Sequence, residues 1–179
     1  MMLLLAGQGA APADIHSAVR AGNVEAITAL LKQSPALVNA RDESGQTPLH
    51  CAARENLPAM VTLLVEQGAD VNAVDKGGAA ALHIFASRGY LPGLALLLDK
   101  GASINIQAAD GSTPLHAATM GRQVEALRLL AGRKADLESR DHYGRTPLVI
   151  AAREMRGPAV VGALLDLGAR IDAPDKHGD

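Results

Sequence analysis

Thr47-Pro48-Leu49-His50 returns as Ala80-Ala81-Leu82-His83, as Thr113-Pro114-Leu115-His116 and as Thr146-Pro147-Leu148-Val149, each copy 33 residues after the last. A second landmark keeps nearly the same rhythm: Gly68-Ala69-Asp70-Val71-Asn72-Ala73, Gly101-Ala102-Ser103-Ile104-Asn105-Ile106 and Gly168-Ala169-Arg170-Ile171-Asp172-Ala173. A third is an Asp-x-x-Gly run, from Asp42 to Gly45, Asp75 to Gly78, Asp141 to Gly144 and Asp175 to Gly178. Self-similarity at such a period marks stacked supersecondary units. Upstream, Ile15-His16, Gly22 and Leu30-Leu31 begin one more copy, which needs an extra residue near Pro35 to align Val38-Asn39-Ala40. The reading is five units, at about 13–46, 47–79, 80–112, 113–145 and 146–179, behind an extension of residues 1–12.

The second unit shows why each copy folds as a helix pair. Thr47 is suited to cap a first helix with its hydroxyl, and Pro48 to occupy the first turn, where its missing N–H is not needed. Leu49, Ala52 and Ala53 give that helix a face of short side chains which a neighbour can approach closely. Asn56 stands where Gly22 and Gly89 stand in other copies, which predicts a positive φ between the helices. Met60, Val61, Leu64 and Val65 recur at helical spacing as the apolar stripe of a second helix, and Gly68 ends it. An extended segment with a turn follows. One unit cannot bury its stripe alone, so the units stack.

The 33-residue unit with T-P-L-H-x-A resembles the ankyrin repeat, and the resemblance covers about residues 13–179. It implies an all-α repeat solenoid: a right-angled stack of helix-turn-helix units joined by β-hairpin loops whose tips project to one side. It also implies that the recurring histidines hydrogen-bond locally and support the hairpins.

The pattern is broken at particular places. Ala80-Ala81 replaces Thr-Pro, so the start of the third unit is the least specified. Phe85 falls where other units carry Ala18, Ala52, Ala118 and Ala151; it must push its helices apart or find an unusual pocket. Gly121 comes one residue early and Lys134 stands in a glycine position, which predicts a compensated deletion and insertion or a strained lysine. Val149 replaces the motif histidine, and one residue is inserted near Met155-Arg156-Gly157. Residues 1–12 read either as the remnant of a secretory signal peptide, with Ala11-Pro12-Ala13 as the small-x-small site, or as an apolar cap on the first unit. The first reading would make the protein periplasmic or secreted, the second cytoplasmic. The motif at Asp175-Lys176-His177-Gly178 is followed by no further Thr-Pro-Leu-His, so the array either ends on an open edge or belongs to a longer chain.

Composition narrows the function. The 179 residues carry 17 Lys and Arg against 19 Asp and Glu, a net charge of −2, so no basic field favours nucleic acid. Phe85, Tyr90 and Tyr143 are the only rings, which leaves few platforms for stacking bases. No apolar run reaches the roughly 18–20 residues of a membrane span. Cys51 is the one cysteine, which excludes an internal disulfide and a multi-cysteine zinc site. His16, His50, His83 and His116 fall one per unit, about 10 Å apart for packed helices, too far to share a metal with bonds of about 2 Å. His142 and His177 fall on turns. No P-loop, H-E-x-x-H, G-x-S-x-G or EF-hand run is present. The expectation is a protein without catalytic residues, cofactor, metal or small-molecule substrate.

What remains is surface. The resemblance implies a non-enzymatic protein–protein interaction scaffold, a monomer by default, meeting its partner through hairpin tips and the concave edge of the first helices. Mapped onto this chain, the tips carry Arg41, Glu43, Lys76, Gln107 and Asp110, with Arg140, His142, Tyr143 and Arg145 on the last of them. The helix edge carries Arg54, Glu55, Ser87, Arg88, Met120, Arg153 and Glu154. Arg20, Arg54, Arg88 and Arg122 are each 34 residues apart, which predicts a row of guanidiniums, extended by Arg153, for an acidic protein segment. The competing reading pairs these arginines with adjacent Glu55 and Glu154. Tyr143, between Arg140 and Arg145, is the best single hot-spot candidate. The alternative function is the targeting module of a larger enzyme or secreted effector.

Overall fold

Helices of six to ten residues are marginal in water by themselves, so whatever holds them must come from neighbours. A computed structural model describes residues 14–154 and 156–171. Within these, ten α-helices form five pairs. They are α1 (Ile15–Arg20) with α2 (Val24–Gln33), α3 (Pro48–Arg54) with α4 (Pro58–Glu66), and α5 (Ala81–Arg88) with α6 (Leu91–Asp99). Then come α7 (Pro114–Met120) with α8 (Val124–Gly132), and α9 (Pro147–Arg153) with α10 (Pro158–Asp166). First helices pack in series, α1 on α3, α3 on α5, α5 on α7 and α7 on α9; α4, α6, α8 and α10 form the second layer. The core is a seam between the layers, with Leu49, Leu82 and Leu115 facing Leu64, Leu97 and Leu130, all six buried. This is an all-helical repeat solenoid.

The helix starts follow the motif. Pro48, Pro114 and Pro147 occupy first turns. The Thr47 and Thr113 hydroxyls do not cap the helix backbone as expected; a histidine at the third helical position supplies the back-reaching half of a capping box. His50 Nδ1 accepts the Thr47 N–H at 3.1 Å and lies 2.8 Å from the Thr47 hydroxyl. Ala80 has no hydroxyl, yet its N–H still donates to His83 Nδ1 at 3.1 Å, so the third unit keeps half of the box. Where Val149 replaces histidine, the Thr146 hydroxyl accepts the Val149 N–H instead, at 3.3 Å.

Between units, three recurrent sets of hydrogen bonds run along the stack. Each histidine Nε2 bonds the carbonyl that closes the following tip: His16 to Gln46, His50 to Ala79, His83 to Ser112 and His116 to Arg145, at 2.9 to 3.0 Å. Asn39, Asn72 and Asn105 accept the N–H of Asp70, Ser103 and Asp136 one unit on, and Glu138 does so for Arg170. Neighbouring tips also share backbone bonds, Lys76 N–H to Ser44, Ala109 N–H to Gly77 and His142 N–H to Asp110. The tips are tight turns with little strand character: among the described residues one antiparallel bridge, Val74 with Ala80, is present. The Asp42, Asp75 and Asp141 carboxylates each close a turn by accepting the N–H groups two and four residues on.

Several irregular positions resolve. Asn56 has the expected positive φ of 51°, with Gly22 at 64° and Gly89 at 68°. In the fourth unit there is no deletion and insertion. Arg122 itself takes the left-handed position at φ 58°, and Lys134 is strained in the glycine position at φ 66°. Gly121 is right-handed; a Cβ there would lie 2.0 Å from the Ser87 carbonyl oxygen, so it is close approach that demands glycine. The extra residue of the first unit is absorbed by a 3₁₀ turn over Pro35–Asn39. Four residues, Glu154 to Gly157, join α9 to α10, where three join α7 to α8. Residues 1–12, Met155 and the motif at Asp175 to Gly178 lie outside the described residues.

Candidate protein-docking face

The tips and the ends of the first helices line one side of the stack. In its middle lies an open hollow of about 480 Å³ between the third and fourth units. Ile84, Ala117 and Met120 project into it from α5 and α7, and Ala79, Ala109 and Asp110 close it from the tips. Its walls are mainly apolar. Burial opposes the charge on Asp110, but the Ser112 backbone and hydroxyl hold its carboxyl below the usual range. Met120, Asp110 and Ser87 were legible as surface candidates; Ile84 and Ala117 were not, because in sequence they read as helix core. The signal was a comparison across units: Ile84 sits 33 residues before buried Ala117 but is only partly buried.

The arginines divide by what they touch. Arg41 donates to the Gly45 carbonyl at 2.9 Å and to the Val74 carbonyl of the next tip. Arg140 does the same within its own tip, to Gly144 at 2.7 Å. Both act as staples. Arg145 lies in a chain of charges: its guanidinium pairs with Asp141 at 2.7 Å and Glu154 at 3.1 Å. Arg156 in turn binds Glu154 and donates to the Met120 carbonyl at 3.3 Å. Burial works against ionised Asp141, yet Arg145 and two backbone N–H groups hold its carboxyl below the ordinary range. The hydrogen bond to Asp141 in turn raises Arg145. The guanidinium carbon sits 4.8 Å from the centre of the Tyr143 ring, and the residue is 69% exposed. Sequence reading paired Tyr143 with its flanking arginines but missed Arg156, which is distant along the chain from that tip.

The predicted arginine row is not a row. Arg20 and Arg54 end α1 and α3 two residues before the left-handed residue, Arg88 stands one residue before Gly89, and Arg122 is the left-handed residue. A 34-residue interval drifts through a 33-residue unit, so the four occupy three different positions. Arg54, Arg88 and Arg153 are exposed. Among the described residues none of these three forms an ion pair, since Glu154 is taken by Arg145 and Arg156. The Gln46 amide, turned with its oxygen toward Arg54, accepts from Nη2 at 2.6 Å. Glu43, Glu55, Lys76 and Gln107 are exposed on the same side, as is His142, whose N–H joins the tip ladder.

The remaining chemistry-bearing groups are occupied. His50, His83 and His116 are buried with both ring nitrogens engaged by protein, and burial lowers their affinity for a proton despite the carbonyl at Nε2. Cys51 is buried, and that burial pushes its thiol up although Arg20 Nη1 lies 3.8 Å from Sγ. Among the described residues no cluster of three or more His, Cys, Asp or Glu is disposed to hold a metal. Nor, among those residues, is any helix long and apolar enough to cross a membrane.

A search of curated proteins returned no match. A family model described as ankyrin repeats, three copies, matches residues 3–75 and 82–175. That match spans most of the sequence, and it agrees with the recurring Thr-Pro-Leu-His starts, the inter-unit histidine bonds and the two-layer stack: the chain belongs to the ankyrin-repeat family.

Proposed function

We propose that this array is a non-enzymatic scaffold that docks a protein segment on its inner face. Ankyrin repeats are generally protein–protein interaction modules, and fold alone leaves the specific role to the surface. The supporting observation is the hollow of about 480 Å³ bounded by Ile84, Met120 and the tips of two units. The docking surface runs along Glu43, Lys76, Gln107, Asp110, His142 and Tyr143 on the tips. It continues along Arg54, Glu55, Arg88, Met120 and Arg153 on the helix edge. Arg41, Arg140 and Arg145 hold the tips in the shape the partner meets. Tyr143 combines large exposed area with the neighbouring Arg145, and Tyr and Arg are residue types enriched among interface anchors.

The test is affinity capture with the intact chain, read by mass spectrometry, against a variant carrying Ala109→Glu and Met120→Glu. Circular dichroism establishes that the variant keeps its helices. Proteins held by the unaltered chain and released from the variant are the expected result. Equal recovery on both would place the docking surface elsewhere.

A further inference from the structure

Equivalent positions on the inner face differ in size and charge from unit to unit in an ordered way. The tip position reads Gln46, Ala79, Ser112, Arg145, and the helix-edge position reads Arg54, Ser87, Met120, Arg153. Long side chains therefore stand at both ends, and short or apolar ones stand between them. The hollow exists because Ala79 and Ser87 do not fill the space that Gln46 and Arg54 fill one unit earlier. One unit to either side, Arg54 and Arg153 are exposed guanidiniums without an ion pair among the described residues, and Arg88 in the third unit is another.

We infer that the face takes an extended peptide with acidic residues at both ends and one bulky apolar side chain at its middle. This rests on the docking reading above and adds the chemistry of the partner. Arg54 and Arg153 are three units apart, about 30 Å if units repeat every 10 Å or so. An extended chain covers that distance in roughly nine residues. The centre disfavours an acidic occupant on two counts: its walls are mainly apolar, and the Asp110 carboxylate at its edge repels a second negative charge. A buried apolar side chain supplies affinity there, while exposed charge pairs set direction and raise the association rate. A nucleic-acid strand fits less well, because mainly apolar walls and the Asp110 carboxylate stand between the flanking arginines.

A library of random nonapeptides displayed on phage and selected on the full chain tests this. Enriched sequences should carry Asp or Glu near both ends and Leu, Met, Phe or a similar residue centrally. A synthetic peptide of the enriched sequence should lose affinity about tenfold or more against Arg54→Glu/Arg153→Glu, and weaken as salt rises. It should lose a similar factor against Ala79→Gln, which fills the hollow with the side chain the neighbouring unit already carries. Peptides blocked by Ala79→Gln but without acidic ends, or indifferent to the arginine reversals, would overturn the partner chemistry and leave inner-face docking standing. Peptides indifferent to both variants, or no enrichment at all, would overturn the docking reading with it.

Discussion

The ring of Phe85 lies over the backbone of Gly93: a Cβ on Gly93 would come within 2.4 Å of the ring edge. The two are a reciprocal exchange of volume. Other first helices carry Ala18, Ala52, Ala118 or Ala151 at the position of Phe85, and other second helices carry Ala26, Met60, Ala126 or Val160 at that of Gly93. Phe85 is fully buried and meets Tyr90 edge-on at 6.4 Å between ring centres. The helices are not pushed apart; the partner helix has given up its side chain.

This exchange predicts non-additive mutations. Gly93→Ala should destabilise by about 1–3 kcal/mol through overpacking, against the gain in helix propensity of roughly 1 kcal/mol that alanine normally brings. Phe85→Ala alone should cost about 3–5 kcal/mol. Phe85→Ala with Gly93→Met restores the pairing of Ala52 with Met60 and should recover most of that loss. Urea titration of the four proteins measures the coupling, and additive effects would contradict the exchange.

Lys134 offers a gain. Its φ of 66° is left-handed, a conformation that costs an ordinary side chain roughly 1–2 kcal/mol and glycine little. Lys134→Gly, which matches Gly68 and Gly101, should raise stability by about 1 kcal/mol after the entropy of the unfolded glycine is counted. A lower urea midpoint for the variant would contradict the backbone assignment.

Acid should loosen the stack by way of the histidines. Burial keeps His50, His83 and His116 less readily protonated in the folded chain than in the unfolded one. The unfolded state therefore takes up protons first, near pH 6.5, and stability falls as pH drops below that value. Above it the contribution is complete. The geometry gives the cause: a proton on Nδ1 would face the N–H of Thr47, Ala80 or Thr113, which that nitrogen accepts. Urea midpoints at pH 7.5 and pH 5 should differ, with the lower value at pH 5. Asp42, Asp110 and Asp141 do not interfere in this window, because their carboxyls are held below the usual range. Equal midpoints would mean that these rings are free to take up a proton.

The helix pairs and their starts were legible because the local chemistry is repeated. Pro48, Pro114 and Pro147 mark first turns, and Gly68 and Gly101 mark ends, wherever they occur. Arg122 and Lys134 misled because a residue type is only a preference for a backbone conformation, and packing can impose the conformation on another residue. Gly121 misled for the opposite reason, since its smallness serves the Ser87 carbonyl of the preceding unit. The docking candidates divided in the same way. Tyr143 was visible from its own neighbours, but Arg41 and Arg140 proved to be occupied by carbonyls, and Ile84 emerged from the apparent core.

From its letters alone this chain determined the repeating unit, because a period is a property of covalent order and survives any arrangement of the copies. The stack decided how those copies treat one another. His50 reaches Ala79, Asn39 reaches Asp70 and Phe85 covers Gly93 only when units lie in contact. The arginines spaced by 34 separate for the same reason, since a face is set by the unit's own length and not by the interval between like residues.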